Sequence, residues 1–166
     1  MAQTADVVII GGGVIGLAAA FYCARDAFGE NSGKRVVVLE REPVVGAGAT
    51  GKNAGGIRAQ FSSKVNIEFS RASIEVFERF KDETGRALEF HQCGYLFLQT
   101  TDEQVRRFEK QAALQRSLGV RVDFLSPKDI ARIAPALRVD DIIRGSFSTR
   151  DGIADPGDMV NGFYEA

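Results

Sequence analysis

Asp6-Val7-Val8-Ile9-Ile10-Gly11-Gly12-Gly13-Val14-Ile15-Gly16 is the stretch that decides the fold of this 166-residue chain. Its first half is a short, uninterrupted apolar run, as expected of a strand buried on both faces of a parallel sheet. The run stops at a glycine turn, and Leu17-Ala18-Ala19-Ala20 continues it with helix-forming residues, so the segment predicts strand, turn and helix. Gly11, Gly13 and Gly16 supply a GxGxxG pattern. One glycine serves the tight turn, one lets a pyrophosphate approach the backbone, and one allows close packing of helix on strand. At Val14 and Ile15 the new helix opens, and its free N–H groups and dipole favour the negative charge of phosphates.

A glycine turn alone is a weak signal, and the next segment strengthens it. Arg35-Val36-Val37-Val38-Leu39-Glu40, after a turn over Gly29–Gly33, reads as a second buried strand that ends in an acid. A carboxylate there can accept a hydrogen bond from a ribose 2′-hydroxyl, which makes Glu40 the expected partner of the motif. Arg41 follows directly and can serve a 2′-phosphate, so the motif leaves NAD, NADP and FAD open. The fold class is α/β, with a Rossmann-like βαβ unit that binds a dinucleotide. Only two strands of its sheet are legible, and at least a third is needed to bury their faces.

Composition removes several rivals. With 45% hydrophobic and 26% charged residues the chain is globular rather than disordered. Lys and Arg number 21 against 22 Asp and Glu, so no overall field draws polyanions, and nucleic acid is not an expected partner. The run from Arg106 to Arg116 is broken by Glu109 and reads as a solvated helix face. Val7 to Ala24 carries no charge, but an acid precedes it and glycines divide it, so it is expected to be neither a transmembrane segment nor a signal peptide. Cys23 and Cys93 lack metal or disulfide spacing, which favours a reducing, cytoplasmic location and no metal site. His91, the only histidine, has no second base nearby and reads as structural.

Between Pro43 and Arg58 the chain is too glycine-rich for a strand and too apolar for a flexible linker, and its small residues let a flat ligand lie close to the backbone. Here the sequence resembles the FAD-dependent oxidoreductases of the D-amino-acid oxidase type, which include sarcosine oxidase, glycine oxidase and dimethylglycine dehydrogenase. The resemblance rests on GGGVIG, VVVLERE, GATGKNAGGIRAQF, CGYLFL and DGIADPGDMV, in order along the whole chain. It implies FAD as cofactor, with Gly48, Ala49, Thr50, Asn53, Ala54, Gly55 and Gly56 close to its diphosphate and ring. Some relatives attach flavin through a His in this loop. This sequence has Asn53 there, which implies non-covalent FAD. Arg58 falls where sarcosine oxidase-like members bind the substrate carboxylate, a task suited to a guanidinium that can make two parallel hydrogen bonds. The alternative for Arg58 is a surface pairing with Glu68 or another acid.

The implied activity is oxidation of the C–N bond of a small amino acid or N-methyl amino acid by hydride transfer to flavin. The partner is then a small carboxylate-bearing amine. Alternatives are a flavin-binding or assembly subunit without activity of its own, or an FAD-dependent 2-hydroxy acid dehydrogenase. The expected organisation is the first part of an FAD-binding domain over 1–84, the start of an α+β substrate domain over 85–148, and a return toward the first domain over 149–166. Lys64–Thr84 reads as one amphipathic helix with Phe69, Ala72, Val76, Phe77 and Phe80 inward. Thr101 with Gln104 forms a capping box, and Ser126 with Pro127 and Asp155 with Pro156 open further helices. The chain is expected to be an N-terminal portion, inactive alone, completed by a C-terminal part or a partner subunit.

Overall fold

The computed structural model describes residues 4–27 and 33–166, so the turn read over Gly29–Gly33 lies, apart from Gly33, outside the described residues. Its elements in chain order begin with β1 (Val7–Ile10), α1 (Val14–Tyr22) running into a π-helical turn at Cys23–Ala27, and β2 (Val36–Leu39). They continue with β3 (Gly56–Ile57), α2 (Lys64–Glu78), α3 (Phe80–Thr84), β4 (Phe90–His91), β5 (Tyr95–Gln99) and α4 (Asp102–Ser117). The last are β6 (Asp123–Leu125), α5 (Pro127–Ile133), β7 (Arg144–Ser148), β8 (Gly152–Ala154) and α6 (Pro156–Glu165). Two units result: residues 1–55, 79–89 and 154–166 form the first, and 56–78 and 90–153 the second. The sequence reading places its boundaries at 84/85 and 148/149 instead, and assigns 56–78 to the cofactor part.

In the first unit β1 and β2 run parallel, in register from Val7 opposite Val36 to Ile10 opposite Leu39. The Gly11 N–H extends this pairing by donating to the Leu39 carbonyl at 2.7 Å. The expected burial of β1 on both faces does not hold, because Val8 is 54% and Ile10 87% exposed. This sheet has two strands among the described residues, and α1 covers the alternating residues of one face. Along α1 lies α6, whose Phe163 ring meets Phe21 at 5.6 Å and, edge-on, Phe80 at 5.1 Å. Asp155 caps α6 as expected, accepting from the N–H groups of Gly157 and Asp158 at 2.7 and 3.0 Å, with Pro156 in the first turn.

The second unit carries two three-stranded sheets, ordered β3-β8-β4 and β5-β7-β6. β7 pairs antiparallel with both of its neighbours. Its core clusters Ala59, Ile67, Ile74, Ala112, Val120 and Val122. The single helix expected over Lys64–Thr84 is broken at Arg79, where φ is −117° and ψ 22°, into α2 and α3. The buried stripe of α2 is Ile67 and Ile74, seven residues apart, while Phe69 is 70% exposed and Ala72 is also outward. Of the other residues expected inward, Phe80 is buried and Val76 and Phe77 are half-buried, so the face is misplaced only at Phe69 and Ala72. Ser126 and Asp129 complete a capping box at α5. At α4 only half of one forms: Thr101 accepts from the Gln104 N–H, but Gln104 Oε1 takes the Thr100 N–H at 2.8 Å. β3, β4, β6 and β8 are absent from the sequence reading, since two- and three-residue strands leave no periodic signal. No described helix is long and apolar enough to cross a membrane.

Candidate functional site

The glycine loop of the first unit has the geometry its spacing demands. Gly11 sits at φ +107°, a conformation that side chains rarely adopt. A Cβ on Gly16 would lie 1.9 Å from the Gly11 carbonyl oxygen, so the helix start can approach the strand end only as glycine. α1 has Gly13 as its N-cap, no side-chain cap and no acid in its first turn. Thr50 Oγ1 takes the Val14 N–H, and the remaining N–H groups of the first turn are not capped by Gly13, so the positive end of the helix can accept an anion. Val14 is half-buried there and Ile15 is 84% exposed.

Glu40 is brought to this loop. Its carboxylate accepts from the N–H groups of Gly12 at 2.6 Å, Arg41 at 2.7 Å and Glu42 at 2.9 Å. These backbone bonds, that from Glu42 foremost and that from Gly12 next, hold the carboxyl below its ordinary value, so it is ionised and remains an acceptor for ribose hydroxyls. Arg41 turns away: its side chain is 91% exposed and its guanidinium pairs with Glu42 at 2.9 Å. It does not join Glu40 at the loop.

The segment after Glu42 folds back by successive turns. The Gly46 N–H donates to the Gly12 carbonyl at 2.9 Å, and Thr50 Oγ1 accepts from the Val14 N–H at 3.2 Å. Thr50 thus closes on the loop, with Gly48 and Ala49 exposed just before it. Asn53 Oδ1 accepts from the Gly55 N–H at 2.6 Å, a local turn that leaves Asn53 and Ala54 outward. Gly55 is buried in the first unit, whereas Gly56 already belongs to β3 in the second. The expectation that Pro43–Arg58 holds no strand fails at Gly56–Ile57, which pairs antiparallel with Gly152–Ile153.

Arg58 follows that pair. Its guanidinium lies over three rings of the second unit, 4.7 Å from Phe61, 5.2 Å from Phe97 and 5.5 Å from Tyr95. Such stacking holds a cation without neutralising it. Neither Glu68 nor any other acid pairs with Arg58 among the described residues, and Glu68 faces Lys64 instead. Arg58 Nε is buried without an acceptor. Beside it opens a cavity of about 420 Å³, lined by Gly56, Ile57, Arg58 and Phe61 and by Ser70, Ser73 and Phe77 of α2. That volume suits a small molecule, and the arrangement is chemically ready for a carboxylate.

Beneath Arg58 is a residue that the sequence reading missed. Asp151 is fully buried, and its Oδ1 accepts from the Ala59 N–H at 3.0 Å while its Oδ2 accepts from Gln60 Nε2 at 3.2 Å. Burial pushes its carboxyl above the ordinary value; hydrogen bonds from Ala59, Gln60 and Ser148, and the Arg58 charge, pull the other way. Gln60 Nε2 also donates to the Tyr95 carbonyl at 2.8 Å. The Asp-Gly dipeptide signals a turn, but nothing in a single sequence marks Asp151 as buried.

The chain has relatives among known proteins. The family described as FAD dependent oxidoreductase matches residues 6–166. Mitochondrial dimethylglycine dehydrogenase of Rattus norvegicus is 33% identical over 153 residues, 92% of this chain and 17% of that protein. FAD-dependent oxidoreductase domain-containing protein 1 of Xenopus laevis is 30% identical, over 97% of this chain and 33% of that protein. The crystal structure of L-proline dehydrogenase from P. horikoshii is similar with a TM-score of 0.85 and 30% identity, over 98% of this chain and 41% of that one. The chain thus spans a third or less of the length of these curated relatives.

Proposed function

Because this chain belongs to the FAD dependent oxidoreductase family, we propose that it holds the dinucleotide of FAD on its glycine loop and receives the carboxylate of a small amine substrate at Arg58. The substrate class is an amino acid or N-methyl amino acid, in keeping with the dimethylglycine and L-proline that name two of its relatives. Bound flavin supplies the electron sink for oxidation of the C–N bond.

The residues of this chain do the rest. The first turn of α1 and the backbone around Gly11–Gly16 take the pyrophosphate, and Glu40 takes the ribose hydroxyls. Arg41, paired with Glu42, argues against a 2′-phosphate. FAD is non-covalent in this reading, since the loop carries Asn53, already bonded to Gly55, where a histidine would be needed. Arg58 fixes the carboxylate by two parallel hydrogen bonds and so fixes which C–H is presented. A reducing, cytoplasmic location belongs to the same reading and rests on the two free cysteines, Cys23 and Cys93.

The observation that carries the proposal is an arginine stacked on three aromatic rings, without a salt-bridge partner among the described residues and open to a cavity. Arg58→Ala removes the paired charge-assisted contact, worth about 1.5–3 kcal/mol taken as one unit, and is expected to raise KM for carboxylate substrates about 10- to 150-fold. FAD affinity is expected to stay within about twofold. Steady-state kinetics of the complete protein, beside an FAD titration, checks both, and an unchanged KM removes Arg58 from the site.

A further inference from the structure

Arg58 is anchored on both sides of the chain by two consecutive residues. Before it, Ile57 pairs with Gly152 in the β3–β8 ladder. After it, the Ala59 N–H donates to Asp151 Oδ1 at 3.0 Å. Asp151 reaches further, since its backbone carbonyl accepts from the Gly94 N–H at 2.8 Å, at the entrance of β5. Gln60, 7% exposed, bridges the same places, donating from Nε2 both to Asp151 Oδ2 and to the Tyr95 carbonyl. Tyr95 and Phe97, ring to ring at 5.2 Å, are two of the three rings under the Arg58 guanidinium. One buried network therefore fixes both the backbone that carries Arg58 and the aromatic shelf on which it rests.

We infer that Asp151 and Gln60 are positioning residues that pre-set Arg58 for a substrate carboxylate, acting through the Ala59 and Tyr95 backbone. This rests on the reading of Arg58 given above and adds the residues that make it effective. A flexible arginine loses rotamer freedom when it binds; one already held on a shelf loses less, so affinity rises without a new contact. The inference has a sign that simple electrostatics does not share. As a mere charge beside Arg58, an ionised Asp151 would compete with a substrate carboxylate, and its removal would strengthen carboxylate binding. As a positioning residue its replacement weakens binding, because Asn offers one acceptor oxygen to two donors, the Ala59 N–H and Gln60 Nε2, and one of the two bonds is lost.

The test uses propionate as the carboxylate and propionamide as its neutral analogue, titrated into the ¹⁵N,¹³C-labelled protein while the Arg58 Nε–H resonance is followed. The parent is expected to bind propionate and not propionamide. Asp151→Asn and Gln60→Met are each expected to weaken propionate roughly tenfold, short of the hundredfold that an ångström of misplacement can cost. The Arg58 Nε–H signal should broaden in both, with the methyl signals of the buried Leu17 and Ile130, outside this network, unmoved. Gln60→Met retains the Asp151 charge and gives a second arm should Asp151→Asn fail to fold. Tighter or unchanged propionate binding in a folded variant overturns the positioning role. Loss of binding is expected in Arg58→Ala; if that variant still binds propionate, or the parent does not, the reading of Arg58 itself fails.

Discussion

Gly16→Ala separates helix propensity from the geometry of the cofactor loop. Gly16 lies within α1, where alanine is favoured over glycine by about 1 kcal/mol, so propensity alone predicts a more stable protein. The added Cβ would stand 1.9 Å from the Gly11 carbonyl oxygen and 3.4 Å from the Ile9 side chain. Reaching an ordinary 3.4 Å contact requires the loop to retreat by roughly 1.5 Å, and backbone cannot rotate aside as a side chain does. Overpacking of this kind costs about 1–3 kcal/mol, which cancels or exceeds the propensity gain. The larger effect falls on FAD. A shift of that size breaks N–H bonds to a charged phosphate, worth about 1.5–3 kcal/mol, and so weakens FAD by about 10- to 150-fold. Flavin fluorescence titration gives the affinity and circular dichroism melting gives the stability. An FAD affinity within twofold of the parent, in a variant at least as stable, would refute the placement of the pyrophosphate at this turn.

The remaining predictions concern the core and the acid at the loop. Ile74→Ala, at a buried position, is expected to cost about 2–5 kcal/mol in urea unfolding, whereas Phe69→Ser on the outward face should stay within about 0.5 kcal/mol. Reversed magnitudes would mean that the phenylalanine face of α2 is the packed one. Glu40 is held below its ordinary value, so its contribution is complete above that value, 4.5, and is lost as the pH falls through the lower folded value. The melting temperature of the parent should therefore drop more steeply on acidification than that of Glu40→Gln. Parallel curves would show that the three backbone bonds to Glu40 do not form.

What the sequence made legible was local. The β1–turn–α1–β2 unit could be read because its glycines, its β-branched runs and the terminal Glu40 each have a backbone cause within a few residues. The caps at Ser126 and Asp155 were legible for the same reason. Arg58 was legible through resemblance, but its shelf was not: Phe61, Tyr95 and Phe97 come from two segments joined by the fold, and aromatic residues in a sequence look alike whether they pack or cradle a cation. Asp151 was invisible because burial of one carboxylate depends on partners 91 and 92 residues away. The break at Arg79 was missed because helical periodicity continues through it, while the chain there leaves the second unit for the first.

The central claim, that the glycine loop and Glu40 hold FAD, is tested most directly by titrating the purified protein with FAD and following flavin fluorescence, with NAD and NADP as competitors. Saturable binding of FAD that neither nicotinamide dinucleotide displaces, and that Gly16→Ala weakens, is the predicted result. Displacement by NAD or NADP at comparable concentration, or binding that Gly16→Ala leaves untouched, would contradict it.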